Sequence, residues 1–429
     1  MADEISVDVA IIGGGPAGCA AAISLAKTGH IVALLERTNY QEARVGETLP
    51  PAVQPLLREL GLWERFLADG HAAAPGLVAH WGGGQPFETD HICNAYGSGW
   101  NLNRLRFDRS LYDAACELEG VTAFSGVSQL NCERRPLYAG DAWLLTFNDE
   151  SKNFNADTGA REGQRLLLSA RFVVGATGRA APPFRPPDPE RVVVDQLVGL
   201  VRILAPVEPL PSLRGEAAGD PRIWIEAAPD GWWYSVPLPD GTLVAVYLTD
   251  ADLIRLQGGA RATWQSAFAQ APRLKSRLPV AVATKEGNLF PDNLRVVAAH
   301  SYCRRDLAGK DYLLVGDAAC AWDPLSGQGV LRALTEGQMA ARAINAYLRC
   351  CDRDALTEYE EYVLKNFDTY LQERREMYRS ETRWPSSPFW RRRHVFRAER
   401  IGSLRKRPPP AHGVESSSHM PASSNPDVC

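Results

Sequence analysis

Hydrophobic and polar positions follow one rhythm near the N-terminus, change to another in the middle of the chain, and then return to the first. Residues 7–12, "VDVAII", are apolar except for Asp8 and predict a buried strand; a helix over 16–28 and a second strand over 31–36 follow. Together they form a βαβ unit, whose natural home is a parallel sheet. Residues 51–69 read as helix pieces, and 104–118 as a helix with apolar positions recurring at three and four. Strands are expected over 121–174, interrupted by a polar surface loop at 148–164, and "LLLSARFVVGATGRAAPPF" (166–184) gives a strand that ends in glycines.

Beyond residue 190 the period shortens to two. "RIWIEA" (222–227), "GWWYSVPLP" (231–239) and "GTLVAVYLT" (241–249) alternate between Asp-Gly turns, the mark of an antiparallel layer. "DYLLVGDAA" (311–319) resumes the buried-strand pattern, a helix follows over 327–348, and helical stretches continue to about 379. From 409 onward the polar, proline-flanked sequence predicts no packed element. The fold class is therefore α/β: a split Rossmann-like domain (1–190 and 304–350), an antiparallel β-sheet substrate domain (191–303), a helical and basic C-terminal region (351–408), and a disordered tail (409–429).

The first turn fixes the cofactor class. Gly13-Gly14-Gly15-Pro16-Ala17-Gly18 has GxGxxG spacing between a strand and a helix. Gly13 permits the tight turn, Gly15 lets backbone approach a pyrophosphate, and Gly18 lets the helix pack against the sheet. Glu36, with Arg37 after it, closes the second strand, where a carboxylate can accept ribose hydroxyls. The late segment "GDAACAWDPLSGQGVLRAL" (316–334) repeats the strand–turn–helix logic about 300 residues on. Asp317 at its strand end can meet a ribityl hydroxyl, and the N–H groups at Gly327-Gln328-Gly329 can stabilise negative charge on a reduced flavin. One long cofactor held at both ends, FAD, explains why the chain needs two such turns.

Composition changes this picture little. With 47 Lys+Arg against 51 Asp+Glu, the formal charge of -4 carries no general bias toward nucleic acid or membrane. No apolar run reaches the roughly 18 residues of a membrane span. The nine cysteines show no CxxC pair and no metal spacing, so no metal site is expected; buried thiols in a reducing, cytoplasmic compartment are. One local departure is the basic segment 391–407: Arg391, Arg392, Arg393, Arg397, Arg400, Arg405, Lys406 and Arg407 with Glu399 as its sole acid. It reads as a solvated helix and tail or as a dock for an acidic partner; nucleic acid ranks third.

Candidate chemistry gathers at few residues. Alternation sends Trp232 and Tyr234 to one sheet face and Trp233 to the other, so the first two either wall a pocket for an aromatic substrate or fill core. Glu47 could accept an indole N–H or a proton released on rearomatisation, or could simply pair with Arg44. Asp323, before Pro324, is a second candidate base. His300 could titrate near neutrality, but a structural role suits it better.

The stretches "GGGPAG", "RVGETLPP" and "GDAACAWDPLSGQG" resemble FAD-dependent monooxygenases of the para-hydroxybenzoate hydroxylase fold and their relatives, the flavin-dependent tryptophan halogenases, over roughly residues 7 to 350. The resemblance implies that Arg44 and Arg104 contact the FAD pyrophosphate or adenosine side, and that Pro324 and the 327–329 turn lie beside the flavin ring. Three departures matter. "GATGRA" stands where the hydroxylases often carry Asp-Gly, which affects pyridine-nucleotide handling. "GWWYSVPLP" only approaches the halogenase WxWxIP signature. No lysine occurs between Lys27 and Lys152, whereas halogenases hold hypohalous acid on a lysine there, an amine that arginine cannot replace.

A narrower resemblance, carried by "GWNLNRLRFD", "DPLSGQGVLRAL" and "YRSETRWPSSPFWRRR", is to flavoproteins that hydroxylate a tryptophan inside a partner polypeptide during cysteine tryptophylquinone formation. It implies a flavin C4a-hydroperoxide attacking an aromatic ring, O2 as cosubstrate, and NADH, NADPH or an external reductase as electron source. Alternatives are a small-molecule aromatic hydroxylase, a halogenase, and a non-enzymatic assembly factor that binds a precursor.

Overall fold

In the computed structural model, residues 4–42, 44–137, 140–150, 164–184, 191–204, 220–278 and 294–395 are described. The polar excursion at 148–164 lies mostly outside them, as do the tail from 409 and the basic positions from Arg397 onward.

The apolar N-terminal run becomes the central strand Glu4–Ile12, flanked by Val32–Leu35 and Gln164–Gly175, all parallel. Val121–Phe124 extends one side. On the other side, Gln164–Gly175 divides its free edge: its first part pairs with the antiparallel Gly140–Asp149, its last residues with the late strand Tyr312–Leu314. Register places Ile12, Gly175 and Leu314 side by side. The N-terminal and late glycine turns therefore leave the carboxyl ends of strands about 10 Å apart, two strand spacings, at the edge where open α/β sheets bind ligands.

Helices Pro16–Lys27 and Gly329–Cys350 pack together on this sheet. Their close approach runs through Gly337, where a Cβ would lie 2.2 Å from the carbonyl oxygen of Ala17. The helix pieces expected over 51–69 are two short helices, Val53–Glu59 and Trp63–Ala68, separated by Gly61 at φ 74°. The late strand is likewise shorter than 311–319: Gly316, at φ 62° and bonded from its N–H to Glu336, turns the chain into a 3-10 segment.

The second large sheet runs Arg295–Ala298, Leu197–Leu204, Leu243–Asp250, Gly231–Pro237, Ile223–Ala228, Gly76–His80, Phe87–Asp90. Its last two strands come from the N-terminal half, and Gly76–His80 joins Ile223–Ala228 in parallel, the one departure from antiparallel pairing in this sheet. Trp232 and Trp233 are both fully buried on opposite faces, Trp232 against Tyr378, Phe389 and Trp390, and Trp233 against Trp264 and Phe268.

Cys303 and Cys320, on the paired strands Tyr302–Cys303 and Cys320–Ala321, form a disulfide. This corrects the expectation of thiols: pairing sets the two side chains opposite each other across 17 residues, a spacing no motif announces. Of the free cysteines described, Cys19 and Cys132 are buried while Cys93, Cys116, Cys350 and Cys351 are exposed. Among the described residues no helix is long and apolar enough to cross a membrane.

Candidate active site

The glycine turn is built for close approach. Gly13 holds φ 116°, and a Cβ there would lie 2.2 Å from the Ala176 carbonyl oxygen; on Gly18 it would lie 1.9 Å from that of Gly13. At Gly15 the same test meets only the Arg44 guanidinium, at 3.7 Å, so this backbone is open beside a cation. Helix Pro16–Lys27 has no side-chain cap and no acidic residue in its first turn, which leaves its N–H groups for an anion.

Glu36 is buried at the end of its strand. It accepts from Gly14 N (2.7 Å), from Thr38 N and Oγ1, and from Arg44 Nη2 at 3.0 Å. Half-exposed Arg44 also lies 3.7 Å from Asp108. A ribose diol at Glu36 thus competes with the Thr38 and Arg44 side chains as well as with backbone N–H groups. Arg37 is exposed at the strand end.

Arg104 takes a different place from the one the resemblance implies. Its Nε and Nη2 bind Asp108, and its Nη1 donates to the carbonyls of Val45 and Gly46. It pins the loop that carries Arg44, and Arg44 is left as the guanidinium beside the phosphate turn.

At the late turn, Asp317 keeps about a third of its side chain exposed while Arg332 Nη2 donates to it at 2.7 Å and Arg179 Nε lies 3.4 Å away. Arg332 is buried between Asp317 and Glu336. Glu336 holds the N–H of Gly316, and burial raises its pKa. Gln328 precedes the helix that starts at Gly329 without a side-chain capping bond, Gly327 takes the left-handed conformation, and a Cβ on Gly327 or Gly329 would meet nothing within 4 Å. Uncapped N–H groups with open space beside them at both turns fit FAD, with Pro16, Ala17 and Gly18 at one end and Pro324, Gly327, Gln328 and Gly329 at the other.

Two residues 187 positions apart meet: Tyr234 donates its hydroxyl to Glu47 Oε2 at 3.0 Å. Glu47 also accepts from Gly46 N, is buried, and has its pKa raised by that burial; Arg44 is engaged by Glu36 and Asp108 instead. Burial and the Glu47 carboxylate push the Tyr234 phenol well up.

Trp232 and Asp323 serve another purpose in this geometry. The Trp232 indole donates to Tyr378, whose hydroxyl donates to Asp323 Oδ2. Asp323 further accepts from Arg374 Nε and Leu325 N, its own N–H reaches Tyr370, and it is 1% exposed, so its carboxylate is held in place at the late turn. Helix Asp354–Ser380 supplies Tyr370, Arg374 and Tyr378 at four-residue spacing, one buried stripe that ties the late turn to the second sheet. That spacing was visible in the sequence, but its partners were not. His300 pairs with Arg191, and burial together with Arg179 and Arg191 lowers its pKa.

The fold and these paired turns define a flavin-binding enzyme. Residues 6–373 match the family described as FAD binding domain, and the chain belongs to it. It is thereby a member of the flavin-dependent monooxygenase and halogenase superfamily, whose members are enzymes.

Among curated proteins it is 28% identical over 400 residues to LodB of Marinomonas mediterranea, named as an FAD-dependent oxidoreductase, covering 92% of this chain and 98% of that protein. It is 26% identical to the flavin-dependent halogenase rdc2 of Metacordyceps chlamydosporia, covering 85% and 70%. Among solved structures, the myxobacterial chondrochloren halogenase CndH superposes with a TM-score of 0.75 at 25% identity, covering 93% of this chain and 88% of that one. The peptidyl tryptophan dihydroxylase QhpG, described as essential for tryptophylquinone cofactor biogenesis, gives 0.67 at 25% identity, covering 91% and 79%.

Proposed function

We propose that the protein is an FAD-dependent monooxygenase that hydroxylates an aromatic ring, and that the ring is a tryptophan side chain of a partner polypeptide. The observation that carries hydroxylation over halogenation is the pairing of Glu47 with Tyr234 in a chain that has no lysine between Lys27 and Lys152. The pair offers a carboxyl and a phenol, and residues 28–151 offer no lysine amine to hold an oxidised halide. QhpG, a peptidyl tryptophan dihydroxylase that matches most of this chain, supports the tryptophan substrate.

Bound FAD supplies O2 activation, with electrons from NADH, NADPH or an external reductase. One oxygen atom of O2 ends in the hydroxyl group that replaces a ring hydrogen, and the other, with two electrons and two protons from the reductant and solvent, leaves as water. Glu47 takes the proton released on rearomatisation, and Tyr234 orients that carboxylate. Electron-rich indole needs no stronger base. The basic segment contributes less to docking than its charge suggests, because Arg392 and Arg393 bind Asp250 and Asp252 within the chain.

Intact and tryptic mass spectrometry of polypeptides encoded beside the gene, after incubation with flavin-loaded protein, reductant and O2, tests the reading. A gain of one or two oxygens on a tryptophan is expected, absent without O2; unchanged mass with competent flavin overturns the partner substrate and returns a free aromatic as the alternative. For Glu47, whose raised pKa keeps it protonated to higher pH, the acid limb of the rate profile is expected above the ordinary glutamate value of 4.5. In Glu47→Gln that limb should vanish and the rate fall about 10²-fold or more, read by product formation against pH.

A further inference from the structure

Among the described residues, strand Phe87–Asp90 pairs with Gly76–His80 alone and forms one end of the second sheet. Sheet edges present unpaired backbone groups, and exposed apolar edges are unusual because they recruit other strands. Here Phe87 is 65% exposed, and Ile92 and Tyr96 just beyond it are 85% and 49% exposed.

The cross-strand register gives this edge a direction. Phe87 pairs with Ala79, Ala79 with Ile225, and Ile225 with Tyr234. Directly paired residues share a face, so Phe87 starts a row that ends three strand spacings away, about 14 Å, at the tyrosine bonded to Glu47. The segment after the edge leads the same way: Gly99–Asn101 pairs with Thr48–Leu49, immediately beyond Glu47. On the opposite face of the edge strand stand Glu88 and Asp90; Arg222 binds the first and Ile92 N the second.

We propose that this edge receives an extended segment of the partner polypeptide as a further strand, with apolar side chains on the Phe87 face and basic ones on the face of Glu88 and Asp90. The inference rests on the polypeptide-substrate reading above and adds where the substrate docks. Main-chain hydrogen bonds give such a dock its affinity and alternate side chains its selectivity. Because the edge and the Glu47–Tyr234 pair are strands apart, the target tryptophan lies roughly five residues from the docked segment, at about 3.3 Å per extended residue.

The test uses the flavin-loaded full chain and a synthetic peptide of alternating valine and lysine, followed by a spacer of about five glycines and one tryptophan. Hydrogen exchange should slow at residues 87–90 when the peptide is added. Phe87→Asp, at an exposed position, should keep its flavin and weaken binding at least tenfold. The double variant Glu88→Lys, Asp90→Lys should shift preference to the valine–glutamate counterpart. Unchanged exchange at 87–90, or equal peptide affinity in Phe87→Asp, overturns the dock. Peptide bound at this edge with no oxygen gained on its tryptophan overturns the polypeptide-tryptophan reading and leaves the dock standing. Oxygen gained with equal kcat/KM in wild type and Phe87→Asp does the reverse.

Discussion

Gly18→Val is expected to yield a folded but colourless protein. The first side-chain carbon would lie 1.9 Å from the Gly13 carbonyl oxygen and 3.2 Å from Ala176 Cβ, and the nearer atom is backbone that cannot rotate away. Helix Pro16–Lys27 must then lift from the strand ends, and the turn opens. Overpacking of this kind costs about 1–3 kcal/mol, modest against the core of the two large sheets. The cofactor suffers more, because its phosphate site is the geometry of the turn itself. FAD affinity should fall at least tenfold, the equivalent of about 1.4 kcal/mol. Flavin fluorescence titration checks this, and full FAD retention in a folded Gly18→Val protein would show that the pyrophosphate does not sit at this turn.

Arg374→Met is expected to produce the largest loss of stability. Arg374 is buried and binds Asp323 at 3.0 Å and Asp195 at 2.7 Å. Removing it leaves two buried carboxylates without their shared cation, which costs about 3–5 kcal/mol. Burial by itself would raise the Asp195 pKa, but Arg374 and then Arg393 outweigh it and hold that pKa below the ordinary 3.8. A depressed folded-state pKa contributes stability that is present above the unfolded value and lost as pH falls through the folded one. The gap between wild type and variant should therefore be widest near neutral pH and narrow in acid, where the stranded carboxylates protonate. Denaturant unfolding at several pH values reads this directly. A gap independent of pH would show that packing of the arginine, rather than its charge, is what matters. Bound flavin should also become looser, since Asp323 anchors the late turn.

The parts of the fold that rest on local rules were legible in the chain. The GxGxxG turn and the Asp-Gly hairpins each depend on neighbours a few positions apart, and the structure has them where those rules place them. The opposite facing of Trp232 and Trp233 also followed from alternation alone. Less legible were residues whose role depends on a distant partner. Arg104 was assigned to the cofactor by resemblance, and the loop carbonyls of Val45 and Gly46 claim it instead. Asp323 had the position of a base; the stripe from helix Asp354–Ser380 made it an anchor.

What the sequence determined alone is thus the α/β class, the two glycine turns at strand ends and the absence of lysine between Lys27 and Lys152, because backbone geometry and residue inventory are local properties. Tertiary structure decided which partners each of two candidate carboxylates meets. Glu47 and Asp323 look equivalent in the chain, each beside a glycine- or proline-marked turn. Folding surrounds Asp323 with an arginine, a tyrosine and a backbone donor, whereas Glu47 receives a phenol and a backbone N–H under burial that raises its pKa. A carboxylate's proton affinity is set by charge, hydrogen bonding and desolvation within a few ångströms, and those neighbours come from segments far apart in the chain.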